Sequence, residues 1–250
     1  MTPSVLRQLL PIVALTFITS TGVQADTPAH TVATTKFTVE DAELSKAFYE
    51  DFLGMREVRR FVDEGRIVEP FMGWTEDARI GLLDYTEKET LQKSGVPVSA
   101  ITLPDLDSVA KRFEKAGKQF PIYDLGGGLR LSIVKDPSGN AIEIVEGETE
   151  AVIGARLVVE DRVAAEEWFL KVFDVEPGDR IVNDNFDEVF LEMGGGMFLA
   201  LYEPKDEAPL PKSNYPVVAI YTTDYDAVLE RMKAEGFYVR ERGDRIIFAR

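Results

Sequence analysis

"FTVEDAELSKAFYEDFLGM", residues 37–55, decides the fold once it is laid beside "LVVEDRVAAEEWFLKVFDV", residues 157–175. Each reads as a strand ending in Val-Glu-Asp, then a helix carrying an aromatic pair seven residues after the Asp. The pairs are Phe48-Tyr49 and Trp168-Phe169. Asp41 and Asp161 stand where a helix N-cap belongs, because a short carboxylate can accept from the free amides of a first helical turn. Self-similarity at this spacing is the mark of a repeated supersecondary unit.

A second pair interleaves with the first. "ITLPDLDSVAKRFEKAG" (101–117) matches "IYTTDYDAVLERMKAEG" (220–236): strand, Asp-x-Asp cap, amphipathic helix and closing glycine. After each helix come strand-like runs such as "LRLSIV", "AIEIV", "VFLEM", "MFLALY" and "RIIFA". Four strand–helix–strands units therefore follow one another in two halves, residues 33–148 and 151–250. The join is the short charged stretch "EGETEAV", residues 146–152. Such units cannot bury a sheet face alone and must combine, so the fold class is α+β with mixed sheets and flanking helices.

The chain begins with one charged residue, Arg7, the apolar run "LLPIVALTFI" and a small-residue exit, Val23-Gln24-Ala25. A hydrophobic core of about 10 residues with that exit describes a secretory signal cleaved after Ala25. It falls short of the roughly 20 apolar residues of a membrane span, so no membrane anchor is expected after cleavage. Residues 26–32 read as a flexible leader, and the mature protein as periplasmic or secreted. His30, the one histidine, is then a solvated tail residue. No cysteine is present, which excludes disulfides and thiol catalysis. A net charge of −16 repels phosphate backbones, so no nucleic acid is expected as a partner.

The unit pattern, the Asp…Phe-Tyr…Leu-Gly of the first stretch and "DPSGNAIEI" (136–144) together resemble the vicinal-oxygen-chelate superfamily, the glyoxalase, bleomycin-resistance and dioxygenase fold. The resemblance covers residues 33–250. It implies tandem βαβββ modules forming two cupped sheets, with modules one and two sharing one cup. Where a metal is present, the first and last strands of each module hold it with histidines and glutamates. Carried over, those positions fall at Thr34, Gly81, Ser99 and Glu143 in the first half, and at Gly154 and Val218 in the second. Only Glu143 is a credible ligand, and one carboxylate cannot make the three or four protein ligands of a zinc-type site. No cofactor is therefore expected, with a divalent metal as the alternative. The second half stops where its last strand should begin, so either the sequence is truncated there, the favoured reading, or the domain lacks that strand. The open edge near "RIIFA" invites pairing with another chain, such as a homodimer.

Strand alternation puts Ile142 and Ile144 on the helix side and Glu143 inside the cup with Ala141 and Val145. It also puts Thr34, Lys36 and Thr38 on one face, and Arg79 with Gly81 on another, so Lys36 and Arg79 are expected near Glu143. That group is either a structural ion-pair cluster or an anchor for an anionic ligand. The ligand-binding candidates are Lys36, Arg79, Ser99, Glu143, Trp74 and Tyr85, with Phe71, Phe198, Tyr202 and Tyr221 as further aromatics. The glycines at 126–128 and 194–196 precede strand patterns and read as hairpin turns, not phosphate loops. Three functions stay open. A metal-independent protein binding a small amphipathic or anionic molecule ranks first. The others are a glyoxalase- or dioxygenase-type enzyme with a metal site rebuilt from Glu143, Asp84 or Asp124, and an interaction module.

Overall fold

The computed structural model describes residues 29–87, 93–194, 197–205, 217–243 and 245–249. The proposed signal sequence and the glycines at 195–196 lie outside them. Module one runs β1 (His30–Thr38), α1 (Ala42–Leu53), β2 (Arg56–Asp63), β3 (Ile67–Gly73) and β4 (Arg79–Tyr85). Module two runs β5 (Ser99–Leu103), α2 (Leu106–Lys115), β6 (Tyr123–Asp124), β7 (Arg130–Lys135) and β8 (Ala141–Glu146). Module three is β9 (Ala151–Val158), α3 (Arg162–Phe173), β10 (Pro177–Val182), β11 (Phe186–Leu191) and β12 (Phe198–Pro204). Module four is β13 (Val218–Thr222), α4 (Tyr225–Ala234), β14 (Val239–Arg242) and β15 (Ile246–Ala249).

The aspartates start the helices as their positions suggest. Asp41, Asp105 and Asp161 each accept the backbone N–H three residues on, from Leu44, Ser108 and Ala164. A second carboxylate, from the last strand of the same module, binds the first helical amide. Asp84 accepts from Ala42, Glu146 from Leu106 and Glu203 from Arg162, at 2.9, 3.2 and 2.8 Å. This latch fixes helix to sheet in three modules and places negative charge at a helix N-terminus. In module four Asp224 makes no side-chain cap bond.

The sheets do not follow the two halves. A five-stranded sheet has the order β13-β1-β4-β3-β2, and an eight-stranded sheet the order β10-β11-β12-β9-β5-β8-β7-β6. Module one thus joins module four through the antiparallel pair β1–β13, and module two joins module three through β5–β9. The expectation that modules one and two share a cup is corrected. Each module's first strand has a free edge, and that edge is taken by the first strand of another module, not by its sequence neighbour. Module four gives only β13 to its sheet, while β14 and β15 form a separate two-stranded ribbon.

The helix-side faces of both sheets share one apolar core. It includes Phe37, Ile80 and Leu82 from one sheet, Ile101, Ile142 and Ile144 from the other, and Phe48, Phe113 and Val172 from the helices. The opposite faces are the two cups.

His30 is not a tail residue. It opens β1, lies opposite Thr222, is buried, and its Nδ1 is 2.9 Å from Thr222 Oγ1. Its ring stands edge-on to Phe173, and burial pushes its pKa down. The leader expected over 26–32 therefore gives way to strand at residue 30, because β13 offers it a partner from the far end of the chain. The glycines at 126–128 do form the turn between β6 and β7, all three with positive φ, a conformation that costs a residue without Cβ little.

Candidate functional site

The first cup is the β13-β1-β4-β3-β2 face away from the helices. Register places Thr34 opposite Arg79, Lys36 opposite Gly81 and Phe71 opposite Gly81 from the other side. Lys36 Nζ lies 2.5 Å from Glu69 Oε1. A Cβ added at Gly81 would sit 2.6 Å from that same oxygen, so the missing side chain is what makes room for the pair. The Lys36 ammonium and the Arg79 guanidinium lie 5.2 and 5.4 Å from the centre of the Phe71 ring. Arg79 Nη2 donates to the Tyr221 hydroxyl at 2.5 Å and the guanidinium lies against the Tyr221 ring.

Arg79 is the odd member of this group. It is 4% exposed, its Nε is buried without a hydrogen-bond partner, and no carboxylate among the described residues pairs with it. Buried cations are normally paired, because desolvation without a counter-charge is costly. Glu69 is taken by Lys36, so the Arg79 charge is left without a carboxylate in ion-pair range among the described residues, in a chain of net charge −16.

The second cup is the corresponding face of the eight-stranded sheet. Glu143 sits beside Ala100 and opposite Ile133, while β9 turns Gly154 and Arg156 to the same side. Arg156 Nε lies 2.7 Å from Glu188 Oε1, and its Nη2 3.9 Å from Glu143 Oε2. Its Nη1 donates to the Pro97 carbonyl at 2.5 Å, and Tyr202 covers the guanidinium at 5.4 Å. Neither oxygen of Glu143 accepts a hydrogen bond. Burial pushes its pKa up to about 7 against the pull of Arg156, with Glu188 adding to the rise. Burial raises Glu188 as well. Apolar side chains fill the rest: Ala100, Phe190, Ala200 and Phe198, with the Phe198 ring lying directly on Gly154.

The sequence candidates are thus divided. Lys36 and Arg79 both lie against Phe71 in the first cup, Lys36 paired with Glu69, and neither reaches Glu143, which belongs to the second. Ser99 faces the helix side: it lies opposite Ile142 and Ala155, both core residues, and Ala100 takes the place beside Glu143. A one-residue slip in a strand's phase exchanges its faces. Val218 faces the helix side too, opposite Thr35, leaving Ala219 in the cup. Trp74 packs against the apolar core. Tyr85 lies on the first-cup face at the far end of β4, about 20 Å along the strand from Arg79 at ~3.3 Å per residue. Asp84 is held in its helix latch, and Asp124 accepts from Gly126 in the hairpin turn. Glu69, Arg156 and Glu188 were not among the candidates. The available signal was a charged residue alternating with apolar ones on a single face, as in Ile67-x-Glu69-x-Phe71 and Phe186-x-Glu188-x-Phe190.

A divalent metal does not fit these donors. Among the described residues no three His, Cys, Asp or Glu side chains come together in a ligating group. In the second cup the two carboxylates already face a guanidinium, which repels a second cation. In the first, the carboxylate near the family position is bound to an ammonium.

Residues 28–144 match one family model, and residues 155–249 a second, both described as Glyoxalase/Bleomycin resistance protein/Dioxygenase superfamily. Among solved structures, glyoxalase I from Zea mays is similar with a TM-score of 0.70 and 18% identity, over 85% of this chain and 83% of that one. A putative dioxygenase from Bacillus subtilis is similar with a TM-score of 0.66 and 18% identity, over 90% and 83%. At such identity these likenesses concern the fold alone. No curated protein matches the sequence.

Proposed function

Because the chain belongs to the Glyoxalase/Bleomycin resistance protein/Dioxygenase superfamily, a fold that hosts many chemistries, we propose its function from the site itself. It is an exported, metal-independent protein that binds a small amphipathic or anionic molecule in the first cup. The observation that carries this reading is Arg79, a buried guanidinium without an acidic partner among the described residues, set against the Phe71 and Tyr221 rings. A planar fork of N–H donors suits a carboxylate, and the flanking rings suit an apolar body attached to it. Export rests on the leader, Arg7 to Ala25; metal independence is supported by the donors just described.

The test is calorimetry and thermal unfolding of the mature protein with benzoate, benzyl alcohol and benzylamine as probes. Benzoate is expected to raise the melting temperature, the neutral and cationic analogues not to, and Arg79→Gln to abolish the effect. A ligand at 100 times its Kd stabilises by about 2.7 kcal/mol, well within detection. Equal responses to all three probes, or a benzoate response that survives Arg79→Gln, would remove the basis of the proposal.

A further inference from the structure

The second cup holds charges that this binding reading leaves unused. Glu143 comes from module two, Arg156 and Glu188 from module three, and all three are buried on one sheet face. Arg156 reaches both carboxylates, at 2.7 Å to Glu188 and 3.9 Å to Glu143. Its third contact, to Pro97 O, is again with module two's side of the seam. When both are ionised the carboxylates carry two negative charges, and the guanidinium returns one. Three carboxylate oxygens, both of Glu143 and Oε2 of Glu188, have no hydrogen-bond donor. Buried acceptors left in this way are costly, and a divalent cation in the guanidinium's place would balance both carboxylates and engage several of these oxygens at once.

We infer that Arg156 stands in the place of a divalent cation between Glu143 and Glu188, supplying from the chain the bridge a metal would otherwise make between modules two and three. The guanidinium ties the two modules with fixed donors, so this seam needs no ion. It also blocks one, because a metal entering between the carboxylates would meet a buried positive charge. Exchanging that charge for a neutral metal-binding side chain should turn the same pair of carboxylates into a divalent-cation site. The background is favourable, since the chain's one imidazole, His30, lies in the other sheet and there is no cysteine.

The experiment uses tag-free mature protein, refolded with and without Co2+ or Zn2+. Arg156→His is expected to bind one equivalent of Co2+ at least 100-fold more tightly than the wild type, with a visible absorption band. Adding Glu188→Gln should remove the gain. If Arg156→His does not fold without metal, recovery of native circular dichroism on refolding with Zn2+ supports the inference, and failure to recover overturns it. It is also overturned if folded Arg156→His binds Co2+ no better than the wild type. The same holds if the wild type takes up one equivalent of Zn2+ that Glu143→Gln abolishes. None of these outcomes depends on ligand binding in the first cup.

Discussion

Replacing Glu143 with glutamine removes a buried carboxyl whose pKa is raised from 4.5 to about 7. The folded protein therefore holds a proton there that the unfolded chain has already lost over the intervening pH range. The stabilisation from holding that proton is fully present below 4.5 and is lost as pH rises through about 7, because stability falls wherever the native state binds more protons. The gap between the two values corresponds to about 3 kcal/mol at ~1.4 kcal/mol per pH unit. Two features set its size. Neither Glu143 oxygen receives a hydrogen bond, and the nearest guanidinium nitrogen is 3.9 Å away, engaged more closely with Glu188. Urea unfolding of both proteins at pH 4.5, 6, 7 and 8.5 measures the difference. The wild type should lose up to about 3 kcal/mol relative to Glu143→Gln over that range, most of it between pH 5 and 7. Glu188 shifts in the same direction but is present in both proteins, so the difference curve reports chiefly on Glu143. Parallel curves would refute the claim that this carboxyl is buried without compensation.

Three further outcomes follow from local geometry. Gly154→Ala should destabilise by about 1–3 kcal/mol, since the added methyl would fall on the Phe198 ring, and Phe198→Ala in the same chain should recover part of that loss; additive urea midpoints would count against it. Asp41→Ala should cost about 1 kcal/mol through loss of its bond to the Leu44 amide. Asp224→Ala, whose side chain caps nothing and makes an exposed ion pair with Arg231, should cost roughly half of that or less in the same assay.

Local signals carried much of the fold. The Val-Glu-Asp starts, the glycine turn at 126–128 and the phase of "AIEIV" each depend on a few adjacent residues, and each lies where its chemistry puts it. The phase of "SAITL" could not be read in the same way. All five residues of β5 are buried, so both faces look alike in the sequence and the expected place of Ser99 falls on the opposite face from the observed one. Pairing between modules was also out of reach. Nothing around Lys36 or Arg79 distinguishes a sheet completed by β5 from one completed by β13, and the choice takes Lys36 to Glu69 and Arg79 to Tyr221 instead of bringing both to Glu143. His30 followed the same pattern: its strand exists because of a partner far along the chain.

The β1–β13 seam has a temporal consequence. His30 and Thr222 are 192 positions apart, so ribosomes adding about 5–20 residues per second need about 10–40 seconds to deliver the second after the first. Throughout that interval one flank of β1 has no companion strand and is open to adventitious pairing with other nascent chains. Slow synthesis should therefore lower the recovered yield of this protein more than it would that of a chain whose modules close in order of appearance.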